Sequence, residues 1–201
     1  MSEELDSPTW WRRLCEVTPN LVLSGDLHHD EDKAIIQIEE WRSMGITHVI
    51  DCRNEWSDKE LVATNAPEIT YHEHGTHDSG GDQEQEWYET GWYYYTQALL
   101  DNPDAKVLVH CHMGVNRAPS LIFFLLVMAG HGASRSLRMI RNARPIAACY
   151  YAESAWKAYS KMMSSSRDET DMGIWDIEAF FLENEIDLTD VIHKIRLVEH
   201  V

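Results

Sequence analysis

The chain has 201 residues, of which 44% are hydrophobic, and a formal net charge of −17 at pH 7. This length is enough for one ordinary α/β domain with an extension, and the hydrophobic content excludes a mainly disordered protein. The negative charge disfavours long-range attraction to nucleic acids and anionic membranes. Residues 103–163 are nevertheless basic, with a net charge of +6, against −16 for residues 1–102 and −7 for residues 164–201. A local basic site in the middle of the chain is therefore compatible with the acidic total.

The four cysteines, at positions 15, 52, 111 and 149, have neither the spacing of a zinc site nor that of a secreted disulfide framework. We therefore expect free thiols in a reducing cytoplasm, with no metal ion or organic cofactor. Residues 1–14 are acidic and then Trp-rich, unlike a signal peptide. The apolar run at 121–129 is too short to cross a bilayer, so we expect no membrane association.

The predicted elements are short strands that alternate with helices. Strands are expected within residues 17–25 and at 46–51, 69–74 and 106–109, where apolar and β-branched residues form short runs. Helices are expected at 30–44, 86–100, 121–129, 133–142 and 150–163. Residues 60–65 are too few to classify, and residues 75–85 form a polar loop with several glycines. The predicted fold is a single α/β domain with a central, mostly parallel sheet flanked by helices.

The two ends of the chain differ in composition from the middle. We expect a loosely held N-terminal segment at 1–16, the main domain at 17–163 and an acidic, aromatic extension at 164–201. Within the extension, residues 164–171 are predicted to be a polar linker, and amphipathic stretches follow at 174–181 and 191–197. We expect this extension to mediate self-association or docking of a partner.

Residues 110–120 read His-Cys-His-Met-Gly-Val-Asn-Arg-Ala-Pro-Ser and lie between a predicted strand and a predicted helix. Such a loop directs backbone N–H groups and the positive end of the helix dipole towards one point, which favours an anion. These dipoles and the nearby guanidinium of Arg117 favour the thiolate of Cys111, the nucleophilic form of a cysteine. Arg117 offers two parallel donors that match phosphoryl oxygens, and Gly114 lets the backbone bend around them.

The sequence His-Cys, five residues, then Arg resembles the signature of the cysteine-dependent phosphatases, and residues 17–162 as a whole resemble the dual-specificity phosphatases. This resemblance implies a protein tyrosine phosphatase-like fold and hydrolysis of phosphomonoesters on phosphoproteins, with no cofactor. Cys111 would attack phosphorus to form a phosphocysteine. The phosphate would be held by the loop residues His112, Met113, Gly114, Val115, Asn116 and Arg117.

The resemblance also implies a general acid on a loop about thirty residues before the nucleophile, because the leaving oxygen needs a proton. Asp78 and Asp82 lie 33 and 29 residues before Cys111. We favour Asp78, which comes soon after a predicted strand, in a loop whose glycines suit closure over a substrate. The alternative for either residue is a solvated surface carboxylate.

Ala118 departs from the usual pattern, in which a Ser or Thr follows the arginine and its hydroxyl assists departure of the sulfur. The Arg-Ala-Pro sequence here is similar to that of the phosphatases of regenerating liver. We expect slow turnover with accumulation of the phosphocysteine, unless Ser120 or water takes over this role.

Cys52 directly follows a predicted strand and should lie at the same sheet edge as Cys111. Resemblance to the liver-regeneration phosphatases and to a related lipid phosphatase implies a reversible disulfide between Cys52 and Cys111. Cys149 is a second candidate partner, and the alternative for Cys52 is a buried small hydrophobe.

Arg141 and Arg144 stand where related phosphatases place basic residues beside the site, so one of them could bind a second phosphate or an acidic residue flanking the substrate. The alternative is a solvated helix face. His72, His74 and His77 could form a metal cluster, but no matching cysteine or carboxylate set accompanies them.

Three other functions stay open from the sequence. A non-catalytic phosphate-binding module would keep Arg117 without needing Asp78. A lipid or nucleic-acid phosphatase would carry lysines or arginines in the loop, whereas this loop has only His112 between Cys111 and Arg117. The chain could also serve chiefly as an interaction protein through its acidic extension.

Overall fold

A five-stranded sheet organises the molecule, as seen in a computed structural model that describes residues 10–199. Its strands are β1 (Cys15–Thr18), β2 (Leu21–Ser24), β3 (Ile46–Asp51), β4 (Thr70–Glu73) and β5 (Lys106–His110). Their spatial order is β1-β2-β5-β3-β4, and every neighbouring pair is parallel except β1 with β2. The predicted fold class, a mostly parallel sheet flanked by helices, is confirmed.

Helices cover both faces of the sheet. On one face lie α1 (Glu31–Met44) and α2 (Lys59–Asn65), packed on alternate strand residues that include Val49 and Leu108. On the other face lie α3 (Gln85–Asp101), α4 (Arg117–Met128), α5 (Ala133–Ala143) and α6 (Ala152–Met162). Successive side chains of a strand point to opposite faces, so Val107 and Val109 join the second core while Leu108 joins the first.

Most strands and helices predicted for residues 17–163 agree with the structure to within two residues, but one differs and two were missed. The strand β1 and the helix α2 were not predicted, and α4 begins at Arg117, four residues before the predicted start. Pro119 lies in the first turn of α4, where its missing N–H would have no acceptor inside the helix. The second half of residues 110–120 is therefore the first turn of a helix.

The predicted linker at 164–171 was wrong. Helix α7 (Arg167–Glu183) begins inside it, because Ser166 and Glu169 form a capping box in which each side chain accepts from the backbone N–H of the other residue. The remaining helix is α8 (Leu188–Val198). Polar residues at a helix start resemble a linker in composition, and this resemblance accounts for the error.

Helix α7 belongs to the main hydrophobic core. Ile177 and Phe180 are buried with residues of α4, α5 and α6. Gly173 lies so close to Trp156 of α6 that an added Cβ would stand 2.0 Å from the indole ring. The core of the domain therefore continues past residue 163 and includes part of the predicted extension.

Residues 1–9 of the predicted N-terminal segment 1–16 lie outside the described residues. From there the chain forms a short 3-10 helix at Trp10–Arg12 and then enters β1. Trp11 is completely buried against Val115 and Ile195, so residues 10–16 are part of the packed structure. No helix between residues 10 and 199 is long and apolar enough to cross a membrane.

Candidate active site

The loop at 111–116 connects the central strand β5 to helix α4. The backbone N–H of Cys52, just past the end of β3, donates to the carbonyl oxygen of His110 at 2.9 Å. Both cysteines therefore follow parallel strands at the carboxyl edge of the sheet, where α/β folds bind their ligands. Cys111 is buried, with 2% of its surface exposed. No side chain caps the N-terminus of α4, which leaves its first-turn N–H groups available to an anion.

Gly114 allows the backbone of this loop to turn tightly. Its φ is +62°, and an added Cβ would stand 2.4 Å from the carbonyl oxygen of Ser24. A residue with a side chain would be strained by the backbone angle and by this contact. The glycine therefore fixes the loop against the end of β2.

Arg117 is held at the start of α4 with 3% of its surface exposed. Its Nη1 donates to the Glu55 carboxylate at 2.7 Å and to the carbonyl oxygen of Thr76 at 3.1 Å. Burial disfavours its charged form, but the hydrogen bond to Glu55 and the electrostatic interaction with Cys111 raise the pKa of Arg117 overall. Its Nε has no hydrogen-bond partner among residues 10–199, so this N–H can donate to an oxygen of a phosphoryl group.

A buried ion-pair network holds the turn that carries Glu55. Arg53 donates through Nε and Nη2 to the two oxygens of Asp51, each at 2.8 Å, and through Nη2 to Asp58 at 2.6 Å. Burial opposes the charge on Arg53, but the hydrogen bonds to Asp51 raise its pKa. The hydroxyl of Tyr71 also donates to Asp51, at 2.7 Å. These contacts fix the chain between β3 and α2.

Asp78 lies beside Arg117, on the loop between β4 and α3. Its Oδ1 accepts hydrogen bonds from the Asn116 side-chain amide and from the Tyr151 hydroxyl, both at 2.7 Å. Its Oδ2 is 3.5 Å from Arg117 Nε. Burial, together with the hydrogen bond to Asp78, raises the pKa of Tyr151, so Tyr151 remains a donor at neutral pH. The loop after β4 thus brings a carboxylate next to the anion-binding loop.

Asp82, the other candidate acid, lies away from Arg117. Its side chain is 70% exposed and is 3.4 Å from the ammonium group of Lys157. It does not line the cavity at Cys111. The geometry therefore favours Asp78 over Asp82.

His112 links the loop to the segment after β2 and to the residue after α8. Its Nδ1 is 2.8 Å from Asp26, and its Nε2 is 2.7 Å from Glu199, just after α8. Burial alone would lower the pKa of His112, but the two carboxylates raise it above its ordinary value. The imidazolium form is therefore stabilised between them.

A cavity of about 520 Å³ opens above Cys111. It is lined by the loop at 111–116, the segment that carries Asp78, the turn that carries Glu55 and one side of α8. Its lining residues are Glu55, Asp78, Ser79, Gly80, Cys111, His112, Met113, Val115, Asn116, Arg117, Tyr150, Leu188, Ile192 and Arg196. Glu55, Tyr150, Tyr151 and the α8 residues were not predicted as site residues. Only Glu55 had a usable signal, since it follows β3 at the same sheet edge.

Residues 30–150, more than half of the chain, match the family model described as dual specificity phosphatase, catalytic domain. The chain belongs to this family. It is 32% identical over 117 residues to mouse dual specificity protein phosphatase 26, an alignment that covers 58% of this chain and 52% of that protein. The chain therefore spans about half the length of the curated relatives it matches.

Solved structures share the fold of this dual-specificity phosphatase domain at low sequence identity. Human DUSP28 superposes with a TM-score of 0.61 and 17% identity, over 75% of this chain and 95% of that one. A mouse putative dual specificity phosphatase complexed with zinc tungstate gives a TM-score of 0.62 and 19% identity, over 76% and 90% of the two chains.

The predicted second phosphate site at Arg141 and Arg144 needs correction. Arg144 is 1% exposed, and its guanidinium donates to the carbonyl oxygens of Trp11, Met113 and Gly114 and to the sulfur of Cys15. Arg141 donates to the carbonyl oxygens of Ala147 and Asn184. Neither residue lines the cavity at Cys111. In this dual-specificity phosphatase domain, Arg144 supports the loop from behind, because the loop carbonyls that point away from the site need donors.

Cys52 and Cys149, the two candidate redox partners, are both completely buried, and all four cysteines are free thiols. Burial raises the pKa of Cys52 well above its ordinary value, and the electrostatic interaction with Cys111 raises it further. Burial raises the pKa of Cys149 to about 12. The carbonyl oxygen of Cys52 accepts a hydrogen bond from Arg117 Nη1 at 3.5 Å, so Cys52 lies next to the site.

Each of the three histidines of the metal alternative has an aromatic or amide partner. His72 stacks on Tyr94 with ring centroids 4.0 Å apart, His74 stacks on Trp87, and His77 is hydrogen-bonded to Asn54. Between residues 10 and 199, no group of three or more His, Cys, Asp or Glu side chains is arranged to hold a metal ion.

Proposed function

We propose that this dual-specificity phosphatase domain hydrolyses phosphomonoesters through a phosphocysteine intermediate. One observation carries the proposal: a nucleophile, a buried guanidinium and a carboxylate, namely Cys111, Arg117 and Asp78, line the same cavity. These are the three groups that phosphoryl transfer to a thiolate requires.

In the first step the Cys111 thiolate attacks phosphorus, and the bond from phosphorus to the leaving oxygen breaks. The loop N–H groups of residues 112–117 and the Arg117 guanidinium stabilise the phosphoryl oxygens. Asp78 gives its proton to the leaving oxygen. Both donors to Asp78 bind Oδ1, so the transferable proton belongs on Oδ2.

In the second step Asp78, now a carboxylate, takes a proton from a water molecule that attacks phosphorus. The phosphorus–sulfur bond breaks, inorganic phosphate leaves, and the Cys111 thiolate is restored. Each step uses only side chains and backbone N–H groups of this chain and a water molecule, with no cofactor.

The substrate class we propose is a phosphotyrosine- or phosphoserine/threonine-containing protein in the cytoplasm. The family match, the free thiols and the acidic chain support this assignment. A polyanionic lipid or nucleic acid would be repelled by the net charge of −17.

The test is phosphate release by the full chain from phosphopeptides and from p-nitrophenyl phosphate. We expect Cys111→Ser to abolish turnover, because a serine hydroxyl is a much weaker nucleophile at neutral pH. Asp78→Asn should lower kcat/KM on phosphopeptides, which reports the first step, by about 10²- to 10⁴-fold, the usual contribution of a general acid. Its effect on p-nitrophenyl phosphate should be smaller, since nitrophenolate leaves without a proton.

The matched control is Asp82→Asn, the same change on the same loop, which should leave kcat/KM unchanged. Equal losses in the Asp78 and Asp82 variants would remove Asp78 from the mechanism. Undiminished activity of Cys111→Ser would refute the phosphocysteine. Phosphopeptide binding without phosphate release by the unmodified chain would instead indicate a phosphate-binding module.

We also propose that Cys52 and Cys111 form a reversible disulfide when peroxide oxidises Cys111 to the sulfenic acid. The Cys52 sulfur then attacks that of Cys111, and water leaves. Mass mapping after peroxide treatment should find a 52–111 linkage that a thiol removes, and a Cys149→Ser control should behave the same way. Full reactivation by thiol without that linkage would disprove the pairing.

A further inference from the structure

Helix α8 is anchored to the phosphate-binding loop. Ile195 is completely buried in a cluster with Trp11, Val115 and Ala148, and Val115 belongs to the loop itself. At the end of the helix, Glu199 is 2.7 Å from Nε2 of His112, the residue that follows Cys111. One apolar and one polar contact therefore hold α8 at the mouth of the site.

The side of α8 that faces the cavity is a stripe of Leu188, Ile192 and Arg196. These residues are four apart, so they follow one another along a single face of a helix. Leu188 and Ile192 present an apolar surface, and Arg196 follows them towards the C-terminal end of the helix. Tyr150 lines the same cavity from the segment before α6 and is 65% exposed.

Arg196 has a guanidinium that nothing in the described structure uses. It is exposed, and it makes no hydrogen bond or ion pair with residues 10–199. Arg117 is the other arginine or lysine that lines the cavity, but it is already paired with Glu55. Arg196 is therefore a cation at the mouth of a site whose substrate is anionic.

We propose that this stripe is a substrate-recognition wall. It selects phosphopeptides in which a second anionic group lies close to the phosphorylated residue. The side chain that carries the phosphate packs on Leu188 and Ile192, and Arg196 binds the second anion, which is either a carboxylate or another phosphate. This inference rests on the proposed function, since it names the substrate class of the same site.

The test compares three matched phosphotyrosine peptides that carry alanine, aspartate or a second phosphorylated residue beside the phosphotyrosine. The unmodified chain should have a kcat/KM about three- to fivefold higher for both anionic peptides than for the alanine peptide, which is the size expected of one exposed ion pair. In Arg196→Glu this ratio should fall to one or below. A preference for the doubly phosphorylated peptide alone would identify phosphate as the second anion.

Lys194→Glu is the matched control. It reverses a charge on the same helix at a residue that lies outside the cavity and pairs with Asp190. The ratio of kcat/KM for the anionic peptides to kcat/KM for the alanine peptide should therefore equal that of the unmodified chain. Thermal melting would show that both variants are folded. Equal ratios in Arg196→Glu and in the unmodified chain, or a fall of the same size in Lys194→Glu, would overturn the proposal.

A second pair of variants tests the apolar part of the wall. Ile192→Ala should raise KM for the phosphotyrosine peptides several-fold, because one wall of the cavity loses apolar contact. Leu197→Ala removes a side chain of equal size that is 65% exposed and lies outside the cavity, and it should leave KM unchanged. Equal KM values for the two variants would remove Ile192 from the wall.

Binding separates failure of the recognition wall from failure of the chemistry. The same peptides are titrated against Cys111→Ser, with and without Arg196→Glu, so turnover is not required. If the unmodified chain releases no phosphate but Arg196 still discriminates among the peptides, the proposed function fails and the recognition wall stands. If phosphate is released and neither kcat/KM nor affinity depends on Arg196, only the recognition wall fails.

Discussion

Asn116 occupies the N-cap position of α4 but does not cap the helix. Its amide nitrogen donates to Asp78 Oδ1, and its amide oxygen accepts from the backbone N–H of Tyr150 at 2.8 Å. One side chain thus connects the loop that carries Asp78, the loop at 111–116 and the segment before α6. The first-turn N–H groups of α4, which a capping side chain would have used, stay available for phosphate.

We expect Ala118 to slow turnover, because it has no hydroxyl that could assist departure of the sulfur. It is completely buried, and the nearby hydroxyl of Ser120 accepts a hydrogen bond from the backbone N–H of Tyr151 at 3.2 Å. We expect the unmodified chain to show a burst of product followed by a slower steady state. Ala118→Ser should raise the steady-state rate about tenfold or more, since a hydrogen bond to a charged group contributes about 1.5–3 kcal/mol.

The control for this experiment is Ala129→Ser, which adds the same hydroxyl just beyond the far end of α4 and should change neither phase. A single-phase time course, together with no gain in Ala118→Ser, would show that release of the sulfur does not limit the rate. The hydroxyl of Ser120 or a water molecule would then be sufficient.

At the scale of elements, α7 stabilises the domain through one narrow face. Ile177 and Phe180 are buried in the core, whereas Trp175 and Leu182 on the same helix are 68% and 77% exposed. The close contact of Gly173 with Trp156 lets α7 approach α6, and the Trp156 ring N–H donates to the carbonyl oxygen of Thr170 at 3.1 Å. The helix is therefore fixed to α6 along its first half.

Ile177→Ala should lower the free energy of unfolding by about 2–5 kcal/mol, because it leaves a cavity in a close-packed core. Leu182→Ala removes a side chain of the same size from the exposed face and should change it by less than about 0.5 kcal/mol. Chemical denaturation of both variants measures the difference. Equal values would mean that α7 does not belong to the core.

At the scale of the whole molecule, α7 and α8 have different roles. Removing residues 166–201 exposes the partners of both Ile177 and Phe180 in the core, and removing residues 186–201 leaves those contacts intact. A domain is stable by only about 5–15 kcal/mol, so the loss of two buried side chains takes a large part of that stability.

We expect the longer deletion to lack a cooperative thermal transition and the shorter one to melt cooperatively at a lower temperature than the full chain. The shorter deletion should also lose the preference for doubly anionic peptides while still hydrolysing p-nitrophenyl phosphate. Scanning calorimetry checks the first expectation. A cooperative transition in the longer deletion would show that residues 10–165 form a complete core.

Residues 110–120 could be interpreted from the sequence because their chemistry is local. Cys111, Gly114 and Arg117 lie within seven residues, and a strand, a loop and a helix in that order bring them to one point whatever surrounds them. The strands β3 and β5 and the helices α1 and α3 were predicted for a similar reason, since hydrophobic patterning depends on neighbours in the chain. Asp78 was a prediction that the geometry supports over Asp82.

Only the tertiary structure brings Glu55 into contact with Arg117 and Tyr151 into contact with Asp78. It also places the stripe of α8 along the cavity. These contacts join residues that are far apart in sequence, and their formation depends on how the helices pack. The same is true of Arg144, whose spacing suggested a surface cation and whose guanidinium is buried behind the loop. The sequence by itself determined which residues are the proposed nucleophile and anion site, because both are made by adjacent residues. The tertiary structure decided their partners and the wall that substrates meet, because packing between distant segments creates both.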